Sequence, residues 1–486
     1  METKYLLRQV GALVLCLCVA TACAVNPVTG ERQLVLISEA QEIQLGRQGA
    51  EQIRQTMALV EDDELQAYVD RLGQQLAADS ERPHLPWAFA VVDDPTPNAF
   101  ALPGGFIFVT RGMLTLMDSE AELVAVLGHE IGHVTARHSV TQLSRAQLAQ
   151  LGLGLGAIIM PEIQLLGDIA GLGLNLLFLK YGRDAERQAD TLGFRYARAE
   201  GYDVAEMADI FASLQRAGEL AGQSPVPSWL ATHPAPEERV EAVEARLRQL
   251  PENPFDATVG RAEFLNMIDG LPYGPNPRNG FFRGNTFYHP GLAFQLAVPE
   301  GWQRQNMAQA VVGVNSAQNA AFQLTLAGTD SAAEALQRFA SQEGVQTERG
   351  AREDINGLPA LIARFQAQGQ QETVGGYVAF FEYGGRTYQL LGYTPAQLFA
   401  EYQRLFQNLI TSFAPITEAS ILNIKPPVIE IVRLPEAMSL AQFHSRSASD
   451  ISLEQLALIN QVQNTDAVIS QGTLLKRVRG RVADVD

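Results

Sequence analysis

A chain of 486 residues is long enough for two to four domains. With 47% hydrophobic and 19% charged residues it has a globular composition, which excludes wholesale disorder and a fibrous repeat. A net charge of −18 excludes nonspecific nucleic-acid binding, and confinement of the three cysteines (Cys16, Cys18, Cys23) to the N-terminus excludes a disulfide framework.

Residues 1–22 read as an export signal. Lys4 and Arg8 precede an almost wholly apolar run over 9–20, and the small residues Ala20, Thr21 and Ala22 follow. Cys23 after Ala22 resembles a lipobox, although Ala20 stands where Leu is usual. The expectation is an acylated Cys23 and a periplasmic lipoprotein; Ala24, rather than Asp, after the cysteine points to the outer membrane. Cleavage before Cys23 leaves 34 basic and 53 acidic side chains and a net charge of −19. Anionic lipid would repel that surface, so acyl chains would have to supply the membrane attachment.

Residues 34–80 carry apolar side chains at helical spacing, including Ile43, Ile53, Leu65, Val69 and Leu72. Residues 87–110 change to strand-like spacing, and Gly104-Gly105 between apolar runs predicts a hairpin turn. Ser119 to Glu122 forms a capping-box pattern, which predicts a helix over about 119–138. Residues 146–179 are unusually apolar. Their longest uncharged run is 146–161, too short for a membrane span, and they read as two buried helices around Pro161. Helical patterns over 183–220 and 235–250 follow, then linkers rich in Pro, Gly and Asn. Beyond about residue 285, strands are expected over 286–298, 310–326, 358–366 and 374–394, with helices over 331–342 and 396–411. A final unit over 427–478 reads strand, helix, helix, strand.

The chemistry is concentrated in His129-Glu130-Ile131-Gly132-His133, an H-E-x-x-H motif on the predicted 119–138 helix. The i, i+4 spacing sets two imidazoles on one helix face, which suits two tetrahedral positions of a zinc ion. Glu130 can reach a zinc-bound water and act as general base. Chance alone would place the three fixed letters in roughly one chain of this length per hundred, so the capped apolar helix around them matters. A third ligand is needed, and Glu186 is the candidate in Glu186-Arg187-Gln188-Ala189-Asp190. Asp190, one turn later, could accept a hydrogen bond from a ligand histidine and fix its tautomer.

Four blocks together carry a family resemblance: NAFALPGGFIFVTRGML (98–114), LGHEIGHVTARH (127–138), YGRDAERQADTLG (181–193) and THPAPEERV (232–240). Over roughly residues 30–270 the chain resembles the HtpX and CAAX-prenyl-protease family of gluzincin metallopeptidases, and within it the periplasmic BepA-type members. Gln188 and Gly182 depart from the family pattern, where an acid and a Ser are usual. The resemblance implies one Zn2+ per chain. It implies that Asn98, Ala99, Phe100 and Ala101, within a strand running to Val109, bind substrate by β-augmentation. It implies that His233 either caps the zinc as a fourth ligand or stabilises the oxyanion, and that Arg239 pairs with a helix carboxylate or assists at the oxyanion. Arg137 and His138 match the family block and read as structural.

The expected fold class is α+β: a mainly helical zincin-type domain with a small sheet (23–275), an α+β domain (285–415) and a small βααβ module (425–486). The middle domain resembles PsbP-like sandwiches. The last resembles a LysM module that lacks its usual G-D-T start, which leaves peptidoglycan as a candidate partner. Its basic end, Lys476, Arg477, Arg479 and Arg481, reads as a solvated tail. Two functions follow. One is a zinc endopeptidase of the cell envelope that cleaves unfolded or misassembled envelope proteins. The other is an envelope assembly factor whose protease site is latent or incidental.

Overall fold

The computed structural model describes residues 23–150, 181–221, 228–233, 236–250, 257–307, 309–328, 331–368, 372–447 and 449–480. The signal-like segment 1–22, most of the apolar stretch 146–179, and Arg481 lie outside these residues. Among the described residues no helix is long and apolar enough to cross a membrane. The chain divides into two compact units: one extends to Gly274 and also takes in Val428–Arg479, and the other holds Pro275–Pro427.

The first unit begins with a two-stranded ribbon, β1 (Cys23–Val25) and β2 (Arg32–Leu34). Helix α1 (Glu39–Thr56) starts in a capping box between Ser38 and Gln41, and α2 (Asp63–Ala78) is capped by Asp62. A three-stranded sheet follows, made of β3 (Ala88–Val92), β4 (Ala99–Leu102) and β5 (Phe106–Thr110) in the order β3-β5-β4. Gly104 and Gly105, with φ of 78° and 102°, make the turn between β4 and β5. The strand expected over Asn98–Val109 is therefore two strands. Of these two, β4 lies at a sheet edge, and β5 is paired on both sides and offers no free backbone.

Helix α3 (Arg111–Leu116) leads into α4 (Glu120–Thr135), which carries the H-E-x-x-H motif. Ser119 caps α4 by accepting from the Glu122 N–H. The reciprocal half of the predicted capping box does not form: the Glu122 carboxylate accepts from the Asp118 N–H at 2.6 Å, one residue earlier. Every side chain from Ala121 to Thr135 is buried, so Leu123, Val124, Leu127 and Ile131 each contribute about 1.5–3 kcal/mol. The helix stops before the expected residue 138 because Arg137 takes a left-handed φ of 59°. The chain then reverses into α5 (His138–Gln150). Four helices follow: α6 (Arg183–Ala199), α7 (Glu206–Ala221), α8 (Ser228–Thr232) and α9 (Pro236–Leu247); α10 (Arg261–Met267) comes after them.

The second unit is a large antiparallel sheet with a helix on each face. Its strands are β6 (Phe281–Arg283), β7 (Thr286–His289), β8 (Phe294–Ala297), β9 (Gln303–Asn306), β10 (Ala310–Val314), β11 (Ala321–Gly328), β12 (Val345–Thr347), β13 (Ala351–Ile355), β14 (Leu358–Gln368), β15 (Thr373–Tyr383), β16 (Arg386–Pro395) and β17 (Ala414–Pro415). The main order is β12-β14-β15-β16-β11-β10-β9, and β17-β8-β7-β6 forms a smaller sheet. Alternation along β15 explains the two layers. Ala379 and Phe381 pack toward α12 (Phe399–Thr411), whereas Val378 and Phe380 pack toward α11 (Ala332–Ala340). A short α13 (Ala419–Leu422) closes the unit. His289 is held neutral there: burial lowers its pKa to about 4 from the usual 6.5. The unfolded chain binds the extra proton between these values, so stability must fall as pH drops from about 6.5 to 4. We expect acidification across that window to remove about 2–3 kcal/mol from this unit, and His289→Phe to flatten the dependence, as read by thermal melts at stepped pH.

The segment after Pro427 returns to the first unit. It contains β18 (Val428–Arg433), β19 (Met438–Ser439), α14 (Leu440–Ser447), α15 (Leu453–Ile459), β20 (Val468–Ile469) and β21 (Leu474–Arg479). Ile429, Leu440, Phe443, Leu456 and Val478 belong to the same core cluster as Leu123, Leu127 and Ile131 of α4. Exchanged backbone hydrogen bonds tie Ile429 to Gly270 and Leu271. Two residues of the basic end do not belong to a solvated tail: Lys476 is fully buried and Arg477 pairs with Glu430 at 2.6 Å.

Candidate metal centre

Close helix packing assembles the site. A Cβ on Gly193 of α6 would lie 2.7 Å from the His129 backbone nitrogen, and Gly132 packs against Ala189 in the same way. Small residues at these positions let α4 and α6 approach closely, which brings Glu186 and Asp190 to the two motif histidines.

His129, His133, Glu186 and His233 converge, with one donor atom from each lying within 4.8 Å of the others, and all are 2% exposed or less. The two Nε2 atoms of His129 and His133 are 3.0 Å apart. His233 Nδ1 stands 3.3 Å from His129 Nε2 and 3.1 Å from each Glu186 oxygen. His133 Nε2 lies 3.5 Å from Glu186 Oε1.

The outer partners decide what these contacts are. His129 Nδ1 meets Asp190 Oδ1 at 2.8 Å, and a carboxylate can only accept, so the proton sits on Nδ1 and Nε2 is bare. His138 Nε2 meets Gln188 Oε1 at 3.0 Å, and His138 Nδ1 meets His133 Nδ1 at 2.9 Å. Donation to Gln188 leaves His138 Nδ1 as acceptor, so His133 also carries its proton on Nδ1 and presents a bare Nε2. Two lone pairs 3.0 Å apart repel unless a cation or a donor lies between them; the nearest donor is His233 Nδ1, which faces Glu186 at 3.1 Å and His129 Nε2 at 3.3 Å. Tetrahedral ligands at ~2.0–2.1 Å from zinc are about 3.3–3.4 Å apart, close to the spacing seen here. The residues present fit a metal of this class.

Glu130 is fully buried, and neither carboxylate oxygen has a hydrogen-bond partner; Oε1 is 3.7 Å from His233 Nε2. Burial raises its pKa, partly offset by the nearby histidines. Burial would also raise Glu186, but His233 and His129 outweigh it and hold that carboxyl below its ordinary value. Burial and the neighbouring imidazoles hold His133 well below the usual histidine range. Asp190 is held low despite burial by Arg239 and His129.

Arg239 pairs with a helix carboxylate, Asp190. Its Nε donates to Asp190 Oδ2 at 2.9 Å, and its guanidinium lies 4.0 Å over Phe211 and 4.5 Å over Trp229. Trp229 in turn stacks on His233 at 5.1 Å, and Tyr181 stacks on His133 at 4.0 Å. These rings close the site. Asn98 is buried immediately before β4, and Ala99, Phe100 and Ala101 lie along that edge strand. Cys23 opens β1.

Sequence reasoning left the His138–Gln188 pair out of the site. Gln188 departs from the family pattern, and that departure was the available signal. It acquires a role only when the turn at Arg137 folds His138 back onto His133.

Residues 63–247 match the family model described as peptidase family M48. A beta-barrel assembly-enhancing protease of Yersinia pestis is 29% identical over 237 residues, covering 47% of this chain and 48% of that one. A mitochondrial metalloendopeptidase, OMA1 of Schizosaccharomyces pombe, is 32% identical over 178 residues, covering 36% and 51%. The chain spans about half the length of the curated relatives it matches. The solved structure of cyanobacterial PsbP from Synechocystis aligns at TM-score 0.23 and 14% identity, over 27% of this chain and 91% of that one.

Proposed function

Residues 63–247 constitute a metallopeptidase domain of family M48, and from this premise we propose that the chain is a zinc endopeptidase of the bacterial cell envelope acting in protein quality control. The observation that carries the proposal is the buried convergence of His129, His133, Glu186 and His233 beside the unpartnered Glu130.

His129, His133 and Glu186 would hold the zinc. Zinc bound there would polarise a scissile carbonyl and lower the pKa of water toward 7. Glu130 then accepts the proton of the attacking water and passes it to the leaving nitrogen. Asp190 keeps His129 in the tautomer that presents Nε2, and Arg239 holds Asp190 ionised and in place. The β4 edge (Ala99–Leu102) offers backbone groups to an extended peptide. Unfolded or misassembled envelope proteins fit this sequence-tolerant binding, and bacterial relatives named as beta-barrel assembly-enhancing proteases support a role in assembly. The signal pattern and Cys23 support a periplasmic location with an acyl anchor at the outer membrane.

The place of His233, with Nδ1 3.3 Å from His129 Nε2, supports a latent state in which it caps the zinc. In that state cleavage would require segment 228–233 to swing away. Latency also favours the second reading, an assembly factor whose protease is used sparingly. The test is metal content and digestion of unfolded casein by the purified chain from residue 24. One zinc per chain and chelator-sensitive cleavage are expected; absence of zinc would end the proposal. His233→Ala should digest casein at least about tenfold faster if His233 is the cap. Slower cleavage would make it an oxyanion donor instead.

A further inference from the structure

The N-terminal end of the metal helix carries a buried charge cluster that the peptidase mechanism does not use. Asp118 and Glu122 are 5% and 0% exposed and lie on either side of the Ser119 cap. Two adjacent buried carboxylates are unfavourable without a cation. That cation comes from the far end of the sequence. Lys476 of β21, 0% exposed, donates to Met117 O at 2.6 Å and to Thr115 O at 3.2 Å. Its Nζ also lies 3.1 Å from Asp118 Oδ1, an ion pair beside the two carbonyl hydrogen bonds.

The neighbours complete the junction. Gln461 donates from Nε2 to Glu122 Oε1 at 2.6 Å and to Leu116 O at 3.1 Å. Asn460 fixes β21 by accepting from the Lys476 N–H and donating to the Lys476 carbonyl, both at 2.8 Å. Arg261 of α10 pairs with the other Asp118 oxygen and reaches Leu474 O at 3.3 Å. The ammonium thus satisfies carbonyls at the C-terminal end of α3, where a cation is favoured, and pairs with an acid at the start of α4, where the acid is favoured.

We propose that Lys476 is a positioning residue for the metal centre, and that residues 428–479 act as a clamp in cis that fixes the metal helix rather than as a separate module for recruiting substrate. The proposal deepens the peptidase reading and rests on it. A recruiting module would change capture of large substrates and leave the chemistry alone. A clamp sets where His129, Glu130 and His133 stand, because they lie two to three turns along the same rigid helix. Displacement of catalytic groups by an ångström from a remote change can reduce turnover by about a hundredfold.

The test uses the full chain from residue 24. Lys476→Met, Asp118→Asn, the double variant, Gln461→Leu and Arg479→Ala are compared on a short quenched peptide and on casein, with amide exchange over 119–135 and metal affinity by chelator competition. Lys476→Met should lower kcat on both substrates by about 10- to 100-fold with little change in KM, and should speed exchange over 120–127. The double variant should regain part of the loss, because it removes the uncompensated acid. Arg479→Ala, on the exposed part of the same strand, should match wild type. Wild-type kcat and exchange in a folded Lys476→Met would overturn the proposal. So would a loss confined to casein and to KM, or losses from the two single variants that simply multiply. If Lys476→Met does not fold, Gln461→Leu decides: a several-fold loss with faster exchange over 120–127 supports the clamp, and wild-type behaviour overturns it. If wild type cleaves nothing, the peptidase reading fails, while exchange and metal affinity still decide the clamp.

Discussion

Glu130→Gln is expected to lower casein cleavage by about 10²–10⁴-fold while the bound metal stays at the wild-type level. The geometry separates the two properties. Glu130 is not among the four groups that converge on the metal position, and its oxygens have no hydrogen-bond partner to lose. Glutamine has nearly the same volume, so the packing of α4 against α6 should persist. It cannot accept a proton as a carboxylate does, so only the base function is removed. Burial also raises the Glu130 pKa, which moves a carboxylate toward the strength a base needs near neutral pH. The measurement is metal by emission spectrometry beside turnover on casein and on a short peptide. Retained cleavage with retained metal would remove Glu130 from the chemistry; loss of both would place it in the structure of the site.

Chelation of the metal is expected to lower the melting point of the first unit by about 10 °C and to leave the second unit unmoved. Two bare imidazole nitrogens 3.0 Å apart, with a third histidine and a carboxylate beside them, are buried with less than 3% exposure. Without a cation they face one another out of reach of water, with His233 Nδ1 as the nearest donor. A ligand present at about a thousand times its Kd stabilises by about 4 kcal/mol, and each kcal/mol shifts a unit of this size by roughly 2–4 °C. Calorimetry with and without chelator would show two transitions, of which only the one holding His129 moves. His133→Ala should melt low already and ignore the chelator. A chelator-insensitive wild type would mean that these residues hold no structural metal.

Much of the site was readable because helical spacing converts directly into geometry. His129 and His133 share a face of α4 wherever that helix lies, and Glu186 and Asp190 share a face of α6 for the same reason. Ser119 marks the helix start through a local hydrogen bond, which depends on no distant residue. The strand β15 was equally plain, since a run buried on both faces is continuously apolar. Other strands were not plain. β9 and β13 are largely exposed, and their polar sequences follow no period-2 pattern that burial would impose. The helix end was misplaced because nothing in the sequence marks Arg137 as a left-handed residue.

By itself the sequence determined the chemistry of this protein: which residue types stand one turn apart and which helix carries them. Only the tertiary structure decided how those groups are used. It joined α4 to α6 through Gly132, Ala189 and Gly193, closed the site with His233 and Trp229, and set Gln188 behind His138. It also turned a basic C-terminal strand inward, so that Lys476 meets Asp118 across more than three hundred residues of chain. Local patterns record the contacts of neighbours along the chain. Burial and charge pairing between distant segments depend on which surfaces come together in the core, and no short stretch of sequence contains that information.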